Sequence, residues 1–422
     1  MKKKELILTI AMVLVFLLSF STSGFQVIVK ADPRTIVVPT DYPTIKEAIG
    51  NAVDGDTIYV KKGTYQENNI VIDKSILVVG EDRESTIITS QSSQVMLLVN
   101  HSQVSITGFT LIASNTPKPT IDVSPYSKTV TAIQIQKSQY CNVSGNKIVN
   151  SGTAIWLESS SNNIIEANIL WDNYYGVDIT KISTNNIIRA NDISANQVGI
   201  RFSDRRVNYT IVCANNITSS YTGLFYYFTS LNFVVGNYIA YNFDAIHFIG
   251  SYSNVLHHNN FVYNSKQVSD DSSYGDNVLV AYSVNILDDR KEGNYWSDYK
   301  GTGNDGIGAT PYVLNKFNQD NFPLLGLVTI QEYSSYSSTQ LPYPSPTQPP
   351  APTPESSPSP KPSSSPKLSP YPTQSATPSS EGLENSQIPS SLLILIAIIV
   401  LALSLIAVLG VLHYKKKQSK VK

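Results

Sequence analysis

The sequence carries little charge. Only 15% of its 422 residues are Asp, Glu, Lys or Arg, and the formal net charge is -1. Without a basic excess, the chain has no field that could hold the phosphates of a nucleic acid over a broad surface. Nucleic acid is therefore excluded as an expected partner.

Cysteine is also scarce, with two copies in the whole chain, Cys141 and Cys213. Two cysteines are too few for a disulfide scaffold, even in an exported protein. Burial of apolar side chains must therefore hold the fold together, and both thiols are predicted to be free and buried.

Charge is absent from an apolar run near the N-terminus. Lysines at positions 2–4, the apolar run 6–20 and small or polar residues up to Ala31 are typical of an export signal. Residues 1–31 are therefore predicted to be a signal peptide. An uncleaved N-terminal anchor is the alternative, because the apolar run is long.

A second uncharged run, residues 392–412, contains 21 residues. That length suits a helix crossing the hydrocarbon core, so 390–413 is predicted to be a transmembrane helix. The lysine-rich residues 414–422 predict a cytoplasmic tail. The protein is therefore expected to cross the cell membrane once, with its N-terminal part in the extracellular or periplasmic space.

Residues 333–389 consist mainly of Ser, Pro and Thr, with almost no aliphatic residues. Such a segment cannot bury a core and is predicted to be a disordered, extended stalk. Four Asn-X-Ser/Thr sequons precede it and are possible glycosylation sites: Asn100, Asn142, Asn208 and Asn216.

An internal repeat of about 22 residues dominates the region before the stalk. It is clearest on six asparagines, separated by 22, 23, 24, 22 and 22 residues: Asn146, Asn168, Asn191, Asn215, Asn237 and Asn259. Apolar residues recur three positions before and two positions after each of them, as at Val143 and Ile148. Two further apolar columns follow nine and eleven positions after each asparagine, the spacing of one strand face.

Turns with Asn or Gly separate these short strands, and no helical pattern intervenes. Gly176, Gly199 and Gly223 recur in register, which predicts turns with positive φ. Each repeat is therefore predicted to form one coil of a right-handed parallel β-helix over residues 32–290, an all-β fold to which the C-terminal transmembrane helix is added. The six asparagines are predicted to form a structural hydrogen-bonded ladder.

A solenoid needs caps, because its ends expose core and unpaired strand edges. At the start, Thr44 and Glu47 fit a capping box, and an apolar stripe from Ile45 to Ala52 predicts a short covering helix. At the far end, the aromatic-rich residues 291–332 are predicted to be a C-terminal capping segment.

Three passages resemble a known group of proteins. They are residues 54–67 (DGDTIYVKKGTYQE), the Asn-Ile-Ile repeats at 162–168 and 185–191, and residues 293–299 (GNYWSDY) followed by 310–312 (TPY) and 320–323 (DNFP). Together they make the chain similar to parallel β-helix proteins of the carbohydrate-binding and sugar-hydrolase type, in particular NosD-like proteins of archaeal and bacterial cell surfaces. The resemblance spans most of residues 35–325 and implies the fold, which does not by itself define a function.

NosD is associated with copper-enzyme maturation, so the resemblance raises the question of metal. Histidine and methionine are few, and no copper or zinc spacing is visible. His257 and His258 are adjacent in a strand-like segment, which predicts that their side chains point to opposite faces and do not share an ion. No metal and no cofactor are predicted.

Glycoside hydrolysis requires two facing carboxylates. Alignment of the repeats places Asp178 between Ile155 and Arg201, Glu158 beside Lys181, and Asp172 beside Ala195. No acidic pair emerges, and no catalytic residue is predicted. An enzyme acting on polysaccharide, as a lyase, hydrolase or epimerase, is the alternative.

Aromatic residues are plentiful, with 25 Tyr and 3 Trp. Exposed rings on a rigid face stack on sugar rings, and Trp171, Tyr174 and Tyr175 are predicted to bind carbohydrate. The expected partner is a polysaccharide or a cell-surface glycoprotein, bound without catalysis. A structural or adhesive role in the cell envelope is a further alternative.

Overall fold

The structure is a computed structural model that describes residues 32–90, 95–113, 130–271 and 283–336. The predicted signal peptide, the stalk after residue 336, the predicted transmembrane helix (390–413) and the tail lie outside these ranges. Among the described residues, no helix combines the length and the apolar character needed to cross a membrane.

The described chain winds into a parallel β-helix with three sheets, here called I, II and III. Sheet I contains β1 (Thr35–Val38), β2 (Thr57–Val60), β5 (Leu77–Gly80), β8 (Ser105–Thr107), β11 (Asn142–Ser144), β14 (Ile164–Glu166), β18 (Ile187–Arg189), β22 (Ile211–Cys213), β25 (Phe233–Val235) and β28 (Val255–His257). Sheet II contains β4 (Ile70–Ile72), β7 (Leu97–Val99), β10 (Thr131–Gln136), β13 (Thr153–Glu158), β16 (Tyr175–Thr180), β20 (Val198–Ser203), β24 (Thr222–Tyr227), β27 (Asp244–Ile249) and β30 (Lys266–Asp270). Sheet III contains β3 (Gly63–Gln66), β6 (Thr86–Ser90), β9 (Thr110–Ala113), β12 (Lys147–Val149), β15 (Ile169–Trp171), β19 (Asp192–Ser194), β23 (Asn216–Thr218), β26 (Tyr238–Ala240), β29 (Asn260–Val262) and β31 (Tyr295–Trp296).

The remaining elements are short. A parallel pair joins β17 (Ser183–Thr184) to β21 (Val207–Asn208). Two antiparallel pairs near the C-terminal end join β32 (Gly303–Asn304) to β33 (Ile307–Gly308) and β34 (Tyr312–Val313) to β35 (Gln319–Asp320). The helices are α1 (Ile45–Gly50) and a 3-10 helix (Ile330–Tyr333).

The core is a continuous column of aliphatic side chains inside the coil. Val143, Ile165 and Ile188 pair in register along sheet I and are fully buried. Each such burial contributes on the order of 1.5–3 kcal/mol relative to an exposed side chain. The parallel β-helix and the inward apolar columns predicted from the repeat are therefore confirmed.

The six asparagines of the repeat lie buried between sheets I and III and form a hydrogen-bonded ladder. The backbone N–H and the side-chain amide of Asn168 both donate to Oδ1 of Asn191, at 2.9 and 3.0 Å. Asn294 extends the ladder beyond Asn259, although 35 residues separate the two. Two more ladders occupy the other corners, formed with Ser or Thr at some levels by Asn163, Asn186, Asn232, Asn254, Asn285 and Asn318, and by Asn173, Asn196, Asn242 and Asn264.

The glycines predicted for positive-φ turns have a different role. Gly176, Gly199 and Gly223 lie near the start of sheet II strands and do not have positive φ. A Cβ at Gly199 would lie 2.6 Å from the Gly223 carbonyl oxygen and 2.9 Å from Ile217 Cγ2. The prediction of their backbone conformation is therefore wrong, and the lack of space for a side chain explains glycine at these positions.

Helix α1 covers the first coils, with Ile45, Ala48 and Ile49 buried. Thr44 Oγ1 accepts the N–H of Glu47 at 3.1 Å, as expected of an N-cap residue. The Glu67 carboxylate accepts the N–H groups of the first two helical residues. This side chain from the following coil therefore fastens the helix to the end of the solenoid.

An aromatic stack closes the other end of the core. Trp296 is buried, with its ring 4.2 Å from the ring of Phe261 and 4.7 Å from that of Tyr312, both centroid to centroid. The Trp296 indole N–H donates to Asp320 Oδ2 at 2.9 Å, and the Asn294 N–H donates to the same oxygen. Apolar surface at the open end is thus covered and the buried polar groups are paired.

Residues 328–336, here called the C-terminal strap, follow this cap. Val328 exchanges two hydrogen bonds with the side chain of Asn260. Tyr333 and Tyr336 pack against a buried group on the outer side of sheet I that includes Ile211 and Cys213. The stalk predicted from the composition begins at residue 333. In the structure, residues 333–336 contact the β-helix through Tyr333 and Tyr336.

Candidate functional site

Six aromatic residues project from the corner between sheets III and II. This aromatic ridge consists of Trp171, Tyr174, Tyr221, Tyr241, Phe243 and Tyr263. One residue at each level of the corner has a left-handed backbone, including Asp172 at φ 60° and Ser219 at φ 54°. The resulting sharp bend turns the neighbouring side chains outward, and Trp171 and Tyr263 are 50% and 70% exposed.

Rings on successive coils of the ridge stack on each other. Tyr221 and Phe243 have centroids 4.9 Å apart and planes inclined by 11°, and Tyr241 and Tyr263 have centroids 5.9 Å apart. This separation follows from the coil spacing of about 4.8 Å. The stacked pairs cover one face of each of their rings, whereas no ring of the described residues stacks on Trp171.

The three residues predicted to bind carbohydrate do not share one surface. Trp171 and Tyr174 lie on the ridge, but Tyr175 begins β16 and is only 7% exposed. The Arg201 guanidinium lies 4.1 Å above the Tyr175 ring centroid and donates to its hydroxyl at 3.1 Å. Burial raises the pKa of that hydroxyl, and the Arg201 guanidinium covers one face of the nearly buried ring.

The outer face of sheet II carries charged side chains in opposite-sign pairs. Arg201 makes a two-point ion pair with Asp178, at 2.7 and 2.6 Å. Glu158 is bonded to Lys181 and accepts both Gln134 and Gln136 amides.

Burial raises the pKa of Glu158, but these partners together hold it below its usual range. Each carboxylate therefore has a cation of its own. Glu158 and Asp178 do not present the unpartnered facing acids that glycoside hydrolysis uses.

Two of the predicted pairings on this face, both between β13 and β16, are one residue out. Asp178 pairs with Trp156, not with Ile155, and Glu158 pairs with Thr180, not with Lys181. The alignment of Asp178 with Arg201 is confirmed. Counting from the asparagines gives the observed pairs, because Trp156 and Asp178 each lie ten residues after Asn146 and Asn168.

Near the C-terminal end of sheet I lies a group that sequence reasoning missed, here called the histidine cluster: His257, His258, Asp289 and Glu292. The Nδ1 atoms of the two histidines are 2.6 Å apart, and His258 Nε2 is 2.6 Å from Glu292 Oε2. One ring nitrogen of each histidine and a carboxylate oxygen of Asp289 lie within 4.8 Å of one another.

The expectation that the two histidines point to opposite faces is wrong. Strand β28 ends at His257, and His258 has a left-handed backbone with φ 55°. Alternation applies only while the backbone stays extended. The corner therefore turns His258 back toward its neighbour, and recognising the end of the strand would have revealed this.

Burial and the nearby His258 lower the pKa of His257 to about 4. Burial raises the pKa of Asp289, but N–H groups of Glu292 and Lys291 and the two histidines hold it below its usual range. The Tyr333 ring of the C-terminal strap lies 5.7 Å from that of His258. The cluster is thus partly enclosed and combines neutral imidazole with charged carboxylate.

Three solved structures are similar to part of the chain. An alginate lyase from Paenibacillus sp. str. FPU-7 is 15% identical, with 63% of this chain and 96% of that chain covered and a TM-score of 0.47. DFA-IIIase from Arthrobacter chlorophenolicus A6 in complex with GF2 is 14% identical, with 63% and 79% covered and a TM-score of 0.49. Geobacillus virus E2 ORF18 is 15% identical, with 65% and 64% covered and a TM-score of 0.38.

No curated protein sequence matches the chain. A family model does match, at residues 49–220 and 110–301, and its description is periplasmic copper-binding protein (NosD). These two ranges together span more than half of the 422 residues. The chain therefore belongs to the NosD family.

Proposed function

We propose that this protein binds polysaccharide, or the glycan of a surface glycoprotein, along the aromatic ridge and does not transform it. Residues 392–412 anchor it in the membrane, and the Ser/Pro-rich stalk holds the β-helix away from the lipid. The proposal rests on one observation, the row of exposed rings on a rigid corner of the solenoid.

Trp171 is the ring best placed to stack on a sugar. It is half exposed at the end of β15, and no ring of the described residues occupies its face. Apolar C–H groups on one side of a pyranose pack on such a face while its hydroxyls stay available for hydrogen bonds. A flat ring held by a strand also loses little conformational entropy on binding.

Polar groups for those hydroxyls lie on the next coils of sheet III. Trp171 pairs in register with Ser194, which pairs with Thr218. Asp192 is exposed in the adjacent column and accepts the amide of Asn216 at 3.2 Å. A sugar chain lying along the solenoid axis would meet an aromatic ring first and then a strip of hydroxyl, amide and carboxylate groups.

The test is glycan binding by the full-length chain in detergent micelles, with product analysis of every glycan retained. We expect retention of intact glycan by the wild type and at least tenfold weaker binding by Trp171→Ala. Tyr140→Ala is the matched control, because Tyr140 is also well exposed but lies at another corner. Cleaved or epimerised glycan would overturn the proposal in favour of an enzyme, and an absence of all glycan binding would favour a structural or adhesive role.

The description of the family favours copper binding as a second function. Its supporting observation is the histidine cluster, where two imidazoles and a carboxylate converge within 4.8 Å. Imidazole suits Cu(II), and with carboxylate it forms a donor set that fits this ion. Bound copper would supply a Lewis-acidic, redox-active centre at the C-terminal end of the solenoid, remote in sequence from Trp171.

A further inference from the structure

We infer that His257, His258 and Asp289 are the ligands of one late first-row divalent ion, and that Glu292 positions His258 for it. This inference rests on the copper-binding function and deepens it, because it assigns the ligands and adds a positioning residue. Nothing in the repeat pattern pointed to these four residues as a unit.

The two Nδ1 atoms define the centre of the site. They lie 2.6 Å apart, on rings inclined by 77°. Metal–nitrogen bonds of about 2.0–2.1 Å at 90–110° would hold the same atoms about 2.8–3.4 Å apart. The rings therefore need to separate by less than 1 Å to admit an ion between them.

The hydrogen positions around the rings support the same centre. The carboxylate of Glu292 accepts a hydrogen bond from Nε2–H of His258, so Nδ1 carries the lone pair when that ring is neutral. Without metal, His257 must then donate its Nδ1–H to that lone pair. A metal ion bound to both Nδ1 atoms would displace this proton, and the neutral His257 ring would then carry its proton on Nε2.

That metal-free arrangement leaves one polar atom unsatisfied. Nε2 of His257 is buried and has no hydrogen-bond partner among the described residues. In the metal-free tautomer it is a bare lone pair in a dry environment, which is costly. Metal on Nδ1 would turn this nitrogen into a buried N–H, so its lack of a partner among the described residues does not discriminate between the metal-free and metal-bound states.

Asp289 supplies the carboxylate. Its Oδ1 accepts the N–H groups of Lys291 and Glu292 at 2.9 and 2.8 Å, which fixes the short loop that carries it. The two acids therefore have different roles. Asp289 is placed to contact the ion, whereas Glu292 accepts a hydrogen bond from Nε2 of His258. Carboxylates that accept the second N–H of a ligating histidine orient the ring and increase its basicity.

The C-terminal strap shields the site on one side. Tyr333 lies beside His258, and a Cβ on Gly236 would lie 2.2 Å from the Tyr333 ring. Burial, Glu292 and other nearby acids raise the pKa of the Tyr333 hydroxyl to about 12. A neutral, apolar ring over the cluster reduces solvent access and strengthens charge–metal interactions.

The experiment titrates Cu(II) into the full-length chain and follows binding by calorimetry and electron paramagnetic resonance. We expect one ion per chain, with hyperfine coupling to two nitrogens. His258→Gln and Asp289→Asn should each weaken binding at least tenfold, and His258→Gln should remove one nitrogen coupling. His101→Gln, which alters a histidine far along the chain, should bind as the wild type does.

Glu292→Gln tests the positioning residue. We expect about tenfold weaker binding, the lower end of the range for such partners, with both nitrogen couplings retained but their magnitude altered. Unchanged affinity and an unchanged spectrum would overturn the role of Glu292. Thermal unfolding of each metal-free variant, compared with the wild type, separates loss of the site from loss of the fold.

The outcomes distinguish the copper-binding function from the assignment of its ligands. Failure of the wild type to bind Cu(II) would overturn the copper-binding function and the site together. Wild-type binding that survives in His258→Gln and Asp289→Asn would leave the function standing and overturn this site. Equal weakening by His101→Gln would show adventitious surface binding and would also overturn it.

Discussion

The guanidinium of Arg201 bonds both oxygens of the Asp178 carboxylate one coil away, at 2.7 and 2.6 Å, while lying over the ring of Tyr175. Both charged groups are nearly inaccessible to water. A buried pair of this kind stabilises only as a pair, because removing one partner leaves an uncompensated charge. The pair therefore holds β16 and β20 together on the outer face of sheet II.

Arg201→Met is expected to lower the free energy of unfolding by about 3–5 kcal/mol, because it leaves Asp178 buried without its cation. Chemical denaturation followed by circular dichroism measures this. The double variant Asp178→Leu with Arg201→Met should recover most of the loss. Arg206→Met, which breaks an exposed pair with Asp204, should change stability by less than about 1 kcal/mol. Equal losses for the two arginines would contradict the prediction.

Gly199→Ala is expected to destabilise the β-helix by about 1–3 kcal/mol, the cost of overpacking. The added methyl would approach the backbone of the next coil, which the hydrogen bonds of sheet II hold in place. Gly50→Ala is the matched control, because nothing lies within 4 Å of its Cβ position. A thermal melt should show a lower midpoint for Gly199→Ala and an unchanged or higher one for Gly50→Ala.

Stability is expected to depend on pH through Asp320. Burial raises its folded-state pKa from 3.8 to about 6, although Trp296, Asn294 and Phe322 all donate hydrogen bonds to it. Between about pH 4 and 6 the folded state therefore binds more protons than the unfolded state. Stability then falls as the pH rises through this window, by on the order of 3 kcal/mol for this group.

The measurement is the free energy of unfolding at pH 4, 5, 6 and 7 for the wild type and Asp320→Asn. The variant is expected to be less stable at low pH but to lack this contribution to the slope, since Asn does not titrate. A wild-type stability that rises between pH 4 and 6 by the same amount as that of the variant would refute the raised pKa.

The solenoid itself could be predicted from sequence because every coil buries residues at the same positions of the repeat. Each coil repeats the same inward columns, so six asparagines were enough to identify buried positions such as Ile165 and Leu256. The ladder continues to Asn294, but an insertion of 13 residues beyond the usual spacing concealed that member. Regular repeats are therefore predictable, and interruptions are not.

The histidine cluster could be predicted only in part. Its histidines converge because the strand ends between them, and His258 occupies the position before a ladder asparagine, which has positive φ on other coils too, as at Ala167 and Ala190. Its carboxylates come from the cap, which returns to the solenoid about 30 residues later. Contacts of this kind depend on tertiary folding, whereas the pairing of Asp178 with Arg201 follows from the repeat alone.

Tyr226→Phe is expected to stabilise the protein, unlike most core substitutions. Tyr226 is fully buried between Phe202 and Phe248, with ring centroids 4.6 and 5.0 Å away. Its hydroxyl is buried and has no hydrogen-bond partner among the described residues, so folding removes it from water without compensation. Phenylalanine keeps the stacking and removes that penalty, which predicts a gain of about 1 kcal/mol in the free energy of unfolding.

Tyr221→Phe is the control, because its ring is exposed and its hydroxyl remains accessible to water in the folded state. Its stability should change by less than about 0.5 kcal/mol. Denaturant titration of the wild type and both variants measures these differences in the free energy of unfolding. A loss of stability in Tyr226→Phe would mean that the hydroxyl has a partner in solution, such as a buried water, and that the centre of the core is less dry than its apolar columns imply.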